Sequence, residues 1–238
     1  MSDHPTGLRE RKRQRTYQAI SDAAVSLFLR KGFDAVSVSE IAAAAEVSKP
    51  TLFRYFPAKE DMALHRFADH EDEAARVVAG RGAGVSPLTA LEQHFLAGLE
   101  ARDPVTGLCD EPEVLAFHRL LYGTPTLVAR LHSYTARSEE ALAAELAKGL
   151  DGRTEPTGGA ESAAGTAADA GTPRAATAQP TLTARLAAGQ IVTCQRVLAT
   201  ANWHRVAQGA SADSVYESAR RDARDAFALL RTGLTPFA

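Results

Sequence analysis

Apolar residues recur at helical spacing along most of the chain. Tyr17, Ile20, Ala24, Leu27 and Phe28 stand three, four, three and one positions apart. They predict an amphipathic helix ending near Lys31-Gly32, where glycine serves as the C-cap. Ser37-Val38-Ser39-Glu40 is a capping box, and Ile41, Ala42 and Ala45 form the apolar side of a short second helix. Glu46-Val47 makes the turn into a third, VSKPTLFRYF. Ser48 caps its first turn, and Pro50 is tolerated because first-turn N–H groups lack intrahelical partners. Leu52 and Phe56, four apart, face inward and leave Thr51, Arg54 and Tyr55 as donors on the wet face. A helix of about two turns cannot hold itself together in water, so its neighbours must stabilise it.

Beyond residue 58 the pattern predicts a long connecting helix from 59 to about 80, with Met62, Phe67 and Ala74 inward. Ser86-Pro87 opens a fifth helix carrying Leu88, Leu91, Phe95 and Leu99, broken by Asp103-Pro104 and Gly107. Asp110-Glu111-Pro112-Glu113 caps a sixth with Val114, Phe117, Leu121 and Tyr122. Thr124-Pro125 caps a seventh with Leu127, Val128, Leu131, Tyr134, Leu142, Leu146 and Leu150. Residues 151–180 contain no Val, Ile, Leu, Met, Phe, Tyr or Trp, so this stretch cannot bury a core and reads as a disordered insert. An eighth helix follows from 181 to about 208, with Leu186, Gln190, Thr193, Cys194, Val197 and Ala201 on one side. Ser211 caps the ninth, striped by Tyr216, Ala219, Ala223, Ala226, Phe227 and Leu230. The fold class is all-α, with about nine helices.

Composition is that of a globular protein. No run of about 18 apolar residues exists to span a membrane, and MSDHPTGLRERKRQR lacks the apolar segment of a signal peptide, which places the chain in the cytoplasm. Cys109 and Cys194 are too few and too far apart for a disulfide framework or zinc site and read as buried thiols. Net charge is −2, but residues 1–60 carry ten Lys and Arg against seven Asp and Glu, and the positive excess sits beside the third helix. Arg9, Arg11, Lys12, Arg13 and Arg15 crowd one helix start. Cations there oppose the helix dipole, so an external anion such as phosphate explains them better than a solvated face. Two short helices braced by a longer one, with cations alongside, make a helix-turn-helix whose second helix enters the DNA major groove.

Residues 16–67 resemble the DNA-binding domain of the TetR/AcrR family of transcriptional regulators. The carriers, in that family's order and spacing, are Lys31-Gly32-Phe33, Ile41-Ala42, Val47-Ser48, Thr51-Leu52-Phe53, Tyr55-Phe56 and Lys59-Glu60. The resemblance implies a three-helix DNA-binding domain over 1–58 and a helical ligand-binding and dimerisation domain over 59–238. It assigns Ser37 and Ser39 to phosphate or groove-edge contacts, and Ser48, Lys49, Pro50 and Thr51 to base edges and adjoining backbone. Tyr55 and Lys59 fall to phosphates. Arg54 can grip guanine O6 and N7 bidentately or hold phosphate. Two departures stand out: Phe53 replaces the tyrosine of many relatives, and Glu46 replaces the turn glycine, which demands a left-handed residue or an altered turn.

By the same resemblance the last two helices pair with a second copy to form a homodimer, so that two heads meet half-sites of a palindromic operator about 34–36 Å apart. The implied small-molecule effector sits among the fourth to eighth helices. Phe67, Phe95, Leu99, Phe117, His118, Leu121, Tyr122 and Tyr134 are candidate lining groups, with Trp203 and His204 a secondary pair. His65, Asp69, His70 and Glu73 cluster in sequence, but only subsets share a helix face, and no metal site is expected. No cofactor is implied, and without a phosphate-binding glycine loop, nucleophile elbow or Cys-x-x-Cys pair an enzyme is the poorer reading. The best reading is a repressor that leaves DNA when a small apolar effector fills the core. An activator, an effector-free regulator and one controlled by a protein partner are the alternatives.

Overall fold

The computed structural model describes residues 5–68, 70–151 and 180–238 and, within these, all side chains except those of 5, 6, 8–10, 66–68 and 151. Among the described residues there are ten α-helices: α1 Pro5–Lys31, α2 Val38–Ala44, α3 Lys49–Tyr55, α4 Lys59–Ala68, α5 Glu73–Ala79, α6 Pro87–Glu100, α7 Pro112–Gly123, α8 Pro125–Asp151, α9 Leu182–Ala207 and α10 Ala212–Gly233. Serines at 37, 48, 86 and 211 cap their helices as the sequence suggests, each accepting from a backbone N–H three residues on. Residues 152–179, most of the expected insert, lie outside the described residues.

Two boundaries differ from the sequence pattern. The first helix begins at Pro5, ahead of the basic cluster, since proline suits the first helical turn. The long helix expected over 59 to 80 is two helices, which accounts for ten rather than about nine. Residues 70–72 form a turn in which the Glu73 N–H donates to the His70 carbonyl at 3.2 Å. The run His70-Glu71-Asp72-Glu73 has no apolar side chain to bury on a continuous helix, and Glu73 is held instead by His70 and His94. Of the two thiols, Cys109 is buried, while Cys194 is only partly so.

Two apolar cores result. One joins α5, α6, α8, α9 and α10 through Leu88, Leu91, Leu99, Leu142, Ile191 and Phe227. The other lies within α1 to α4, around Ile20, Phe28, Ile41, Leu52, Met62 and Leu64, and reaches into the body through Leu121 of α7 and Leu127 of α8. The head is therefore packed on the body through α4. Ser21 reinforces this from α1, its buried hydroxyl donating to the Met62 carbonyl at 2.9 Å.

A stripe of α9 faces outward with large apolar groups in water: Leu182, Leu186 and Val197 are 71%, 58% and 54% exposed, and Leu229 of α10 is 73% exposed. The opposite side of α9 is sealed against the turn that follows α6. There Gly107 has φ +73°, and a Cβ on it would lie 1.9 Å from the Ala199 carbonyl oxygen. Asn202, also buried, donates to the Thr106 carbonyl at 3.0 Å. Gly107→Ala is expected to cost about 3 kcal/mol or more through strain and backbone overlap, lowering the melting temperature by about 6–12 °C. Gly209→Ala, at φ +102° with no atom within 4 Å, is expected to pay only the backbone strain. Equal thermal melts for the two variants would refute the close approach of the 107 turn to α9.

Candidate nucleic-acid interface

The outward face of α3 is built by what lies beneath it. Leu52 is fully buried and Phe56 is 3% exposed, so Lys49, Pro50, Phe53 and Arg54 are turned to solvent. Ser48 accepts from the Thr51 N–H at 3.2 Å, and the two hydroxyls are 2.8 Å apart, so Thr51 is half occupied by its own cap. Ser37 completes its capping box by accepting from the Glu40 N–H at 3.2 Å and donating its own N–H to Glu40 Oε2 at 2.8 Å. Ser39 remains exposed beside it. Lys31 reaches Glu40 Oε1 at 2.8 Å, and hydrogen bonds from Lys31 and Ser37 hold that carboxyl at about 2. Ser37 is thus the second helix's cap as well as a surface hydroxyl.

The turn before α3 shows how Glu46 replaces glycine. Its φ is +55°, in the left-handed region. The Val47 N–H donates to the Ala42 carbonyl at 2.9 Å and the Glu46 N–H to that of Ala43 at 3.2 Å, which is the Schellman closure of a helix end. Those two bonds hold the residue where its backbone is strained, and its side chain is exposed two residues before the α3 cap.

Next to α3, the N-terminal half of α1 contributes a hollow of about 460 Å³ lined by Lys12, Arg13, Thr16, Tyr17, Arg54 and Tyr55. Tyr55 packs edge-on against Tyr17 with ring centres 4.7 Å apart, and the Arg13 and Arg54 guanidinium carbons each lie 5.6 Å from a tyrosine ring centre. Cationic and hydroxyl donors around a concave surface suit a phosphate. Lys59 is placed differently. Its ammonium donates to the Phe33 carbonyl and lies 4.3 Å from the Phe33 ring centre, which ties α4 to the loop before α2.

Behind the head, α4 is held to α8 by Asp61, which is 6% exposed. Arg130 donates to both of its carboxylate oxygens at 2.7 and 2.9 Å, and the Ala58 N–H donates to one of them at 3.2 Å. The Tyr134 hydroxyl donates to Asp61 from 3.4 Å. The sequence pattern passes over Asp61, although a carboxylate one residue before the buried Met62-Ala63-Leu64 signals that a partner is needed.

Tyr134 also lines a cavity of about 210 Å³ among α5, α6, α7, α8 and α9, together with Phe95, Tyr122, Leu131 and Val192. Of the effector candidates, Phe95, Tyr122 and Tyr134 meet there. Phe117 and His118 open on a separate crevice, Leu99 and Leu121 are core, and the Phe67 side chain lies outside the described ones. Tyr122 packs on Trp203 at 4.7 Å, and burial pushes its hydroxyl pKa up. The His and acidic residues that cluster in sequence over 65–73 take different places. His65 stacks on Tyr17 at 5.4 Å inside the head, Asp69 lies outside the described residues, and His70 and Glu73 pair with each other.

Glu73 lies on the cavity wall, 2.9 Å from His70 Nδ1 and 3.3 Å from His94 Nε2. Their hydrogen bonds hold its carboxyl well below the usual range, and its own hydrogen bond raises His94 above the ordinary 6.5. A raised histidine stabilises the fold below about 6.5 and loses that contribution as pH rises through its folded value; a depressed carboxyl contributes above about 4.5 and loses it as pH falls. The pair is therefore fully formed between those two values.

Comparisons with known proteins agree with this architecture. Residues 20–65 match the model of the tetR family of bacterial regulatory proteins. The chain is 37% identical over 135 residues to the HTH-type transcriptional regulator TcmR of Streptomyces glaucescens, covering 56% of this chain and 58% of TcmR. It is 30% identical over 147 residues to the transcriptional regulator MftR of Mycobacterium tuberculosis, covering 60% of this chain and 70% of MftR. The chain thus spans little more than half of TcmR. In structure it resembles NalD, the secondary repressor of the MexAB-OprM multidrug efflux pump in Pseudomonas aeruginosa, with a TM-score of 0.51 over 90% of this chain and 97% of NalD at 17% identity.

Two measurements check the site. Glu46→Gly is expected to relieve about 1 kcal/mol of left-handed strain and raise the melting temperature by about 2–4 °C. It should also tighten DNA binding by removing a carboxylate from the turn that leads into α3; an unchanged melt would contradict the strain. In a proton NMR titration, the His94 ring should titrate above 6.5 in the intact chain and fall back in Glu73→Gln, and a ring unmoved by that substitution would break the assigned contact.

Proposed function

The chain belongs to the tetR family of bacterial regulatory proteins, and from that premise we propose that it is a transcriptional repressor that binds a palindromic operator as a homodimer and leaves it when a small apolar molecule fills the cavity among α5, α6, α7, α8 and α9. The observation that carries the ligand response is that Tyr134 touches two places at once. Its ring lines the cavity, and its hydroxyl bonds the Asp61 carboxylate that Arg130 clamps onto α4. A ligand packed against Tyr134 then displaces the helix on which the head is mounted. The ligand must bind the displaced state more tightly than the DNA-competent one, because only differential affinity shifts an equilibrium.

The DNA contacts follow from the exposed face. Lys49, Pro50 and Thr51 open α3 toward base edges, and Arg54 stands at its far end beside the α1 hollow. Phe53, 48% exposed, offers a thymine methyl an apolar contact in place of a phosphate hydroxyl bond. Lys12, Arg13 and Tyr55 supply phosphate anchorage, with Ser37 and Ser39 at the neighbouring groove edge. Lys59 acts through position, by fixing α4 against Phe33. For the dimer, the exposed stripe of Leu182, Leu186 and Val197 on α9, joined by Leu229 of α10, is apolar surface that a second copy would cover.

The test is binding of the purified chain to DNA from upstream of its own gene across a range of salt concentrations. Lys12→Ala and Arg13→Ala are each expected to weaken all sequences alike and flatten the log–log salt slope by about 1. Arg54→Ala should relax base preference if the guanidinium reads guanine, at about 1–3 kcal/mol of discrimination. A chain that binds no such fragment, or whose slope ignores both α1 cations, would refute the proposed interface.

A further inference from the structure

The outward face of α3 carries a strip without hydrogen-bonding side chains. Pro50 and Phe53 stand three residues apart on the helix and are both exposed, Phe53 to 48%. Proline has no N–H and phenylalanine no polar side-chain atom. No aromatic or cationic side chain among the described residues packs on the Phe53 ring. The polar groups lie to its sides. Lys49 precedes Phe53 by one turn, Arg54 follows it beside the α1 hollow, and the Ser48 and Thr51 hydroxyls, 2.8 Å apart, belong to the helix cap.

In the major groove every base pair presents hydrogen-bond donors or acceptors, and thymine alone adds an apolar group, its C5-methyl. An apolar strip laid on a donor or acceptor takes that group out of water without replacing its bond, which costs free energy. Laid on a methyl, the same strip removes apolar surface from water on both sides. The methyl rather than the base is therefore what Pro50 and Phe53 are suited to recognise. Cytosine methylated at C5 carries that group at the same ring position as thymine and differs from cytosine in nothing else.

We propose that Pro50 and Phe53 form a reader of pyrimidine C5-methyl groups, so that DNA methylated at a cytosine facing Phe53 is a tighter ligand than unmethylated DNA of the same sequence. The inference rests on the proposed entry of α3 into the major groove. It gives the chain an input written on the DNA itself, separate from the effector cavity. Burial of one methyl corresponds to about fourfold in affinity per half-site, and to about tenfold over the two half-sites that a dimer engages. The contact is apolar and releases no counterions, so the methyl changes affinity without changing its salt dependence.

The probe is DNA from upstream of the chain's own gene, prepared with thymidine or with deoxyuridine, which lacks only the C5-methyl. The full chain should bind the deoxyuridine fragment about tenfold more weakly, at an unchanged log–log salt slope. Phe53→Ala should bind the two fragments within about twofold of each other. Phe53→Tyr, which keeps the ring, should keep the preference. Replacement of single thymines then locates the position that is read. There 5-methylcytosine should bind about fourfold more tightly than cytosine per half-site, and Phe53→Ala should abolish that difference. Equal affinity for the thymidine and deoxyuridine fragments, a preference undiminished in Phe53→Ala, or equal affinity for cytosine and 5-methylcytosine would each overturn the proposal. A chain that binds neither fragment refutes the DNA-binding reading itself, and the proposal with it.

Discussion

Asp61 carries a negative charge in a place almost closed to water, and such a charge is tolerated only when it is paired and hydrogen-bonded. The Arg130 guanidinium meets both of its oxygens, and the Ala58 N–H and the Tyr134 hydroxyl take further acceptor positions. Removing any one of these would leave the carboxylate under-satisfied, so α4, the residue that precedes it and α8 are held in one mutual arrangement. The head depends on that arrangement twice over, because α4 also supplies Met62, Ala63 and Leu64 to the head's own core and takes the Ser21 hydroxyl at the Met62 carbonyl. α4 is therefore bonded both to α8, through Asp61, and to α1, through the Met62 carbonyl.

Much of the scaffold was legible because it is written in local chemistry. Serine followed three residues later by a free backbone N–H, a proline in the first turn and apolar stripes at helical spacing mark nearly every helix start, and capping obeys short-range rules that need no knowledge of the fold. The break between α4 and α5 was hidden for a complementary reason. Nothing in His70-Glu71-Asp72-Glu73 forbids a helix, and the turn is fixed by His94, which lies on another helix. Asp61 was passed over likewise, since its meaning rests on Arg130, 69 residues away. The effector candidates were chosen as aromatic or apolar residues on the right helices. Periodicity cannot say which of those face a cavity, which fill the core and which look out on the α1–α7 crevice.

The recognition helix itself illustrates how one residue can serve structure and surface together. Ser37, Ser48 and Thr51 all spend hydrogen-bonding capacity on helix starts. Lys59, expected at phosphate from resemblance, is drawn onto an aromatic ring and a carbonyl. The exposed cations near the recognition helix include Lys12, Lys49 and Arg54, so positive charge there is shared between two helices that meet through Tyr17 and Tyr55. Glu46 shows the converse: a residue kept in a strained backbone by two hydrogen bonds, with its side chain exposed two residues before the α3 cap.

Trp203 is the single tryptophan of the chain. Its indole packs at a tilt 4.7 Å from Tyr122, which borders the cavity behind Tyr134, and lies edge-on to His118, which borders the crevice at the head. Its buried N–H has no partner among the described residues. The molecule thus carries a native optical probe at the partition between its two compartments. Quenching or a spectral shift of that one emission, with no label attached, reads out events on either side.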